Sequence, residues 1–317
     1  MLKRPIAIYY EHPRWFERVF AEMDRRHTPY AKVDAARHHY DIALNGDHNY
    51  SLLFNRMSPS AWTRGNANSI FYTLNYLANA EQAGTRVVNG SHAFRVETSK
   101  ALQLSLLQSL GLSYPRSRVI NHPSQAEAAA EGFRFPIVTK PNIGGSGAGI
   151  IRFNSIEELR SAVANNKINL GLDGVGLVQE FIPARDGYIV RVETIGYKYL
   201  YGIKVFTSGE TFDLCPADIC KTTDGTALET SCVIEGPKTG LRVEAYQPPP
   251  EIIADVERIF AAAKIEVGGV EYMTDARDGK MYYYDVNALS NFVADGPTLL
   301  GFDPFVKLVD YLEREAA

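Results

Sequence analysis

FRFPIVTKPNIGGSGAGII, residues 133–151, is the stretch on which the reading of the whole chain turns. Its first half carries β-prone residues (Phe135, Ile137, Val138, Thr139) and delivers Lys140 directly before Pro141. Gly144, Gly145, Ser146, Gly147 and Gly149 follow, and Ile150 and Ile151 then resume an apolar run. Two strand signals around a short glycine run predict a β-hairpin with a flexible tip. Glycine lets backbone N–H groups approach an anion closely, and a nearby lysine supplies compensating charge. A P-loop does not fit, because its lysine follows the glycines and a helix comes next. Nor does a Gly-x-Gly-x-x-Gly turn that opens a helix, since β-type residues follow here. By itself the stretch reads either as a plain turn or as a cover over phosphate groups.

The surrounding chain bounds the choice. At 317 residues it has room for two or three subdomains with substantial cores. Its 45% apolar and 22% charged content is ordinary for a soluble globular protein. A net charge of −4 with no basic tract argues against nucleic acid as a partner. No apolar run approaches the ~18 residues of a membrane span, so no membrane partner is expected. The opening MLKRPIAIYYEHPRW breaks its apolar stretch at Glu11 and reads as a first strand, not a signal peptide. Cys215, Cys220 and Cys232 form no Cys-x-x-Cys pair. They read as reduced thiols of a cytoplasmic protein, with neither a disulfide framework nor a zinc site.

Upstream, Pro5–Tyr10, Tyr30–Val33, Tyr50–Phe54 and Arg86–Val88 are strand candidates. Helical spacing over Pro13–Arg26 and Asn68–Ala83 separates them. This alternation predicts a small open α/β domain through about residue 90. Ligands of open α/β sheets sit outside carboxyl strand ends, which makes Arg56 and Ser58 candidate anion contacts. Glu97–Leu110 reads as one helix with Lys100 in its first turn. The helix macrodipole disfavours a cation there, and a bound anion would resolve the conflict.

Tyr114–Ile120, Ser124–Glu131, the glycine hairpin, Ser155–Asn165 and Gly176–Ile182 read as strand, helix, hairpin, helix and strand. They form an α+β unit from which the hairpin could close as a lid. Ser155 to Glu158 resembles a capping box. Gly187–Ile195 and Leu200–Phe206 read as antiparallel strands, with Arg191 and Glu193 sharing a face and Lys204 on the second strand. Glu251–Lys264 is an amphipathic helix. Gly268–Met273 and Lys280–Val286 pair as strands, with Glu271 opposite Asp285 and Asn287. Two carboxylates and an amide oxygen suit a hard cation such as magnesium, which keeps positions open for phosphate oxygens. Acidic strand residues can also simply face solvent.

The order of these features resembles the ATP-grasp superfamily, most closely its RimK-like carboxylate–amine ligase branch. The resemblance is carried by Val87-Val88-Asn89-Gly90, Lys100, Lys140 before the glycine hairpin, Gln179-Glu180-Phe181-Ile182, Arg191, Glu271 and Asp285-Val286-Asn287. It covers about residues 50–300. It implies an α/β and α+β ATP-grasp fold in three parts. These are an N-terminal pre-ATP-grasp domain (1–90), a central lid subdomain (91–181) and a C-terminal antiparallel-sheet subdomain with the metal site (182–317).

The resemblance also implies roles by position. Lys100 and Lys140 would contact ATP phosphates, beneath a cover formed by Gly144, Gly145, Ser146, Gly147 and Gly149. Gln179, Glu180, Phe181 and Ile182 would hold adenine, Asp186 the ribose, and Lys204 would complete the nucleotide set. Glu271, Asp285 and Asn287 would hold magnesium, with manganese as an alternative ion. Arg191 and Lys140 would be catalytic, and Arg56, Ser58 and Arg191 would meet substrate. The implied reaction joins a small-molecule carboxylate and an amine, of an amino acid or peptide, through an acylphosphate. A phosphotransferase acting on a hydroxyl and a non-catalytic ATP-binding protein are the alternatives. Homo-oligomers are common in such proteins.

Three features depart from the branch. Asp285 replaces the usual glutamate, and Ile189 stands where many relatives carry aspartate. The region 207–247 is long, lacks the usual Arg-x-Asn, and carries Asp213, Asp218, Lys221, Asp224 and Lys238; it reads either as an insertion that shapes the acceptor pocket or as a surface excursion.

Overall fold

The computed structural model describes residues 2, 4–42, 49–145, 147–206, 242–293 and 295–317. Ser146, the three cysteines and nearly all of the 207–247 insertion therefore lie outside the described residues.

The N-terminal unit is a parallel sheet in the order β2-β1-β3-β4. Its strands are β1 (Ile6–Tyr10), β2 (Tyr30–Asp34), β3 (Leu52–Arg56) and β4 (Val87–Val88). Alternate residues of β1 and β3 serve opposite faces. Ile6, Ile8, Leu52 and Phe54 meet Val19, Phe20 and Met23 of α1 (Glu17–Arg26). Ala7, Tyr9 and Leu53 meet Ile70, Leu77 and Ala80 of α2 (Ala67–Gln82). A parallel sheet covered on both faces explains why all five residues of β1 are buried.

The chain then forms α3 (Ser91–Glu97) and α4 (Lys100–Ser109), where the periodicity predicts one helix from Glu97. The break has a local cause. Ser99 takes an extended conformation and accepts the Leu102 amide at its side chain, so a new helix starts at Lys100. Ala93, Val96, Leu104 and Leu107 of these helices share a core with Ile252, Val256, Ile259 and Phe260 and with the C-terminal sheet.

The lid sheet is antiparallel, in the order β5-β8-β6-β7. It comprises β5 (Ser117–Ile120), β6 (Ile137–Pro141), β7 (Ile151–Phe153) and β8 (Gly176–Glu180), with α5 (Ala126–Ala130) and α6 (Ile156–Ala164) packed on it. The hairpin expected from the glycine run is β6–β7. The Ser155 cap forms, accepting the Glu158 amide, but the Glu158 carboxylate reaches back to the Asn154 amide.

The C-terminal sheet is antiparallel, in the order β11-β10-β9-β12-β13. Its members are β9 (Tyr188–Ile195), β10 (Lys198–Phe206), β11 (Val243–Tyr246), β12 (Val267–Thr274) and β13 (Met281–Asn287). One face packs on α7 (Pro250–Ala263). The other meets the N-terminal unit and α9 (Pro304–Ala316), which follows the short α8 (Gly296–Leu300).

Asn89 ties the N-terminal unit to this sheet. It sits at φ +56°, a left-handed conformation that asparagine tolerates. Its amide donates to Val267 O (2.7 Å) and Ala288 O (2.6 Å) and accepts from the Glu266 and Val267 N–H groups (2.8 and 3.1 Å). Replacing it strands several buried backbone groups, each costing about 1–3 kcal/mol. Asn89→Ala is therefore expected to lower unfolding free energy by at least about 3 kcal/mol in urea titrations. A loss below about 1 kcal/mol would show that the two units are held by other contacts.

Candidate active site

One cleft gathers residues from all three units. The lid contributes Lys140, Pro141, Gly144, Gly145 and Gly147, and the C-terminal sheet Arg191, Glu271, Tyr284, Asp285 and Asn287. The N-terminal unit adds Trp15, Ser58 and Ser60; Glu97 and Lys100 close the floor, and Leu289 and Asn291 the far wall.

The glycine tip fits tightly. A side chain at Gly145, which has φ +153°, would bring its Cβ to 2.5 Å from the Ser60 Cβ and 2.8 Å from its Cα. At Gly149, φ +77°, a Cβ would lie 2.8 Å from Pro141. Only glycine lets this tip rest on the N-terminal unit. Ser60 is itself braced, because Ser58 caps its amide and Arg64 reaches its hydroxyl while bonding Glu11.

The charges below the tip are interlocked. Lys100 Nζ pairs with Asp285 Oδ1, so in this structure a carboxylate of the chain itself, and not a bound anion, meets the cation at the helix start. Burial opposes the Lys100 charge, but Asp285 outweighs it and raises the ammonium pKa. Asp285 is likewise opposed by burial, yet Lys100 and Lys140 hold it below the usual carboxylate range. Lys140 has no such partner among the described residues. Burial, then repulsion from Lys100, pushes its pKa down to about 8.

Arg191 donates through Nε to Glu193 Oε1 (2.6 Å), through Nη1 to Glu271 Oε1 (2.9 Å) and through Nη2 to Ser290 Oγ (3.1 Å). The Glu193 carboxylate lies where a Cβ on Gly269 would sit, at 2.8–2.9 Å, so that strand position must stay glycine. Tyr284 donates to the second oxygen of Glu271 at 2.6 Å. It can do so because the register slips between Glu271 and Tyr272, leaving Tyr284 as an extra residue beside Asp285. Such a bulge leaves one residue unpaired in the ladder and re-aims its side chain. Burial raises the Glu271 pKa, with Asp285 adding to the rise and Arg191 opposing it.

Several predicted residues stand apart from the cleft wall. Arg56 is sealed behind it, donating to Ser290 O, and burial pushes its pKa down to about 9. Its Nε and Nη1 have no partner among the described residues. Gln179 donates to Ser117 Oγ (2.9 Å), and the amides of Glu180 and Phe181 bond to Arg116 O and Pro136 O. Ile182 follows them and is buried. Asp186 is an exposed turn residue at φ +59°. Lys204 lies over the rings of Tyr188 (4.3 Å) and Tyr246 (4.9 Å), opposite Val190 in the ladder. Alternation along β9 puts that on the other sheet face from Arg191. Sequence reasoning missed Glu97, Ser60 and Tyr284 as cleft residues. The first was read as the opening residue of a continuous helix, and the last depends on a bulge with no sequence signal.

The donor set of Glu271, Asp285 and Asn287 fits a hard divalent ion. Glu271 and Asp285 are register partners, and Asn287 Nδ2 lies 3.1 Å from Asp285 Oδ2, so three oxygen-bearing groups adjoin on one wall. Among the described residues there is no group of three His, Cys, Asp or Glu side chains that could hold a metal, so the asparagine is essential to this set. No helix among the described residues is long and apolar enough to cross a membrane.

Residues 97–211 match the RimK-like ATP-grasp domain family. A D-alanine–D-alanine ligase of Geobacter sulfurreducens is 27% identical over 137 residues, 40% of this chain and 42% of that protein. Another, from Xanthomonas axonopodis pv. citri, is 29% identical over 182 residues, 56% of this chain and 51% of that protein. The chain thus matches about half the length of these curated relatives. The solved structure of the ATP-grasp ligase PsnB with a phosphomimetic variant of its minimal precursor, Mg and ADP has a TM-score of 0.67 at 19% identity, covering 100% of both chains. That likeness establishes the ATP-grasp fold.

Proposed function

We propose that the chain is an ATP- and magnesium-dependent carboxylate–amine ligase, a reading supported by the match of residues 97–211 to the RimK-like ATP-grasp domain family and by the ATP-grasp fold. The observation that carries this reading is the convergence of Lys100, Lys140, Arg191, Glu271, Asp285 and Asn287 on one cleft under the glycine tip. In the proposed reaction a substrate carboxylate attacks the γ-phosphorus of ATP, and ADP leaves. An amine then displaces phosphate from the acylphosphate and forms an amide. Both steps crowd negative charge together, so fixed cations are the main catalytic devices.

Lys100 and Lys140 bind triphosphate oxygens, and Arg191 neutralises the transferring phosphoryl group. Glu271, Asp285 and Asn287 hold magnesium, which when bound supplies charge to the phosphate oxygens. The hinge after β8 receives adenine, with Gln179 to Ile182 as its edge. The glycine tip excludes water, which would hydrolyse the acylphosphate. Substrate enters beside Ser58, with Arg56 supporting the wall behind. The D-alanine–D-alanine ligases among the relatives and the PsnB complex with a peptide precursor favour an amino acid or peptide as substrate.

ADP release across a panel of amino acids and peptides, D-alanine included, tests the reading. Turnover is expected only when carboxylate and amine are both present, with one phosphate per amide. A stable phosphorylated product without free phosphate would convert the reading to a phosphotransferase. ATP binding with no turnover on any pair would reduce it to a binding protein.

The fit of Gly145 on Ser60 leads to a separate expectation. Gly145→Ala should leave the melting temperature within about 2 °C, since the tip is only half-buried and contributes little to the fold. It should weaken ATP affinity at least about tenfold in calorimetry, an effect of ~1.4 kcal/mol, because the tip cannot seat. Unchanged affinity would mean that the tip does not close over nucleotide.

A further inference from the structure

Three carboxylates line the cleft among the described residues: Glu97, Glu271 and Asp285. Asp285 is paired with Lys100, and Glu271 with Arg191 and Tyr284. Both belong to the proposed metal set. Glu97 differs. It ends α3, is 5% exposed, and the only hydrogen-bond partner of its carboxylate among the described residues is the Ala288 amide, just beyond Asn287. The nearest cations act on it only at a distance, Lys100 being committed to Asp285 and Arg191 to Glu193 and Glu271.

A buried carboxylate without a counter-ion is costly to keep. The cations of this cleft suit phosphates, and none of them can receive a protonated amine. A ligase that takes a carboxylate and an amine needs one anionic group that is not spent on metal. We propose that Glu97 is the recognition residue for the ammonium group of the acceptor amine, held in place by the Ala288 amide, and that the ammonium passes one proton to the Glu97 carboxylate before the free amine attacks. This rests on the ligase reading and deepens it. The amine is delivered on the floor of the cleft near Lys100 and the end of β13, while the carboxylate substrate approaches from the Ser58 side.

The test separates the two half-reactions. Hydroxylamine is largely uncharged at neutral pH and traps an acylphosphate as a hydroxamate, so it does not need an ammonium site. Wild-type protein and Glu97→Gln are compared with ATP, magnesium and hydroxylamine on D-alanine and the common L-amino acids. Amide formation is then measured on the best carboxylate–amine pair. Glutamine keeps an acceptor for the Ala288 amide. The variant is expected to form hydroxamate within about threefold of wild type, while KM for the amine rises at least about tenfold, or ~1.4 kcal/mol, and KM for ATP is unchanged. Its melting temperature should stay level or rise, because an uncompensated buried charge has gone, and Glu97→Asp should recover part of the amine affinity. An unchanged amine KM, or hydroxamate and amide falling in parallel, would overturn the Glu97 assignment while leaving the ligase reading intact. Hydroxamate absent from wild type on every carboxylate would overturn both.

Discussion

Arg191→Met should lose both stability and turnover, and the two losses should separate in a double variant. The guanidinium lies between Glu193 and Glu271, both buried, and bonds each of them. Removing it leaves two carboxylates without their countercharge, which typically costs about 3–5 kcal/mol. Turnover should fall at least about 10²–10³-fold, the scale for losing one preorganised charge-stabilising donor. Adding Glu193→Gln to Arg191→Met should restore part of the stability, because one orphaned charge is gone, and none of the turnover. Chemical denaturation and steady-state ADP release check the pair. If activity recovered together with stability, Arg191 would be a structural residue and not a phosphoryl contact.

Lys140→Met should make the ligand-free protein more stable while nearly abolishing nucleotide affinity. The ammonium is buried without an ion-pair partner among the described residues, and its pKa falls from 10.5 to about 8. Near neutral pH the folded state therefore holds a charge it disfavours, at a cost on the order of 3 kcal/mol. The sign follows from proton counting. Between about pH 8 and 10.5 the unfolded chain binds more protons at this lysine than the folded one, so stability rises with pH across that window. The variant should lack that rise and should melt higher at pH 7. Bound triphosphate would supply the missing counter-charge, so ATP affinity should drop at least about 100-fold, or ~2.7 kcal/mol. A variant that is less stable at pH 7 would show that the Lys140 charge is already compensated in the free protein.

These two residues also mark how far the sequence could be read. Lys140 was legible because a β-run ending in lysine before a glycine cluster has few explanations, and the hairpin forms as expected. Arg191 and Glu193 were legible because a period of two places them on one face, where they bond. The same rule could not place Lys204, since alternation along a strand says nothing about which face looks into the cleft. In the fold Lys204 lies over tyrosine rings on the opposite face.

Glu97 was hidden because reading 97–110 as one helix made it the first residue of that helix, whereas it ends α3 and Ser99 caps the start of α4. Tyr284 could not be found at all, since its position depends on one extra residue in a ladder. Arg56 was correctly placed at a carboxyl strand end, but the 289–291 segment that covers it comes from more than 230 residues away in the chain. Its donation to Ser290 O makes it a support for the wall, a role that no local pattern predicts.

The most direct measurement follows oxygen. With a carboxylate substrate labelled with ¹⁸O in both oxygens, attack on the γ-phosphorus carries one labelled oxygen into the acylphosphate bridge. When the amine displaces phosphate, that oxygen leaves with it. Mass spectrometry of the released phosphate should then find one ¹⁸O per amide formed. Amide formation accompanied by unlabelled phosphate would contradict the acylphosphate route and, with it, the proposed use of this cleft.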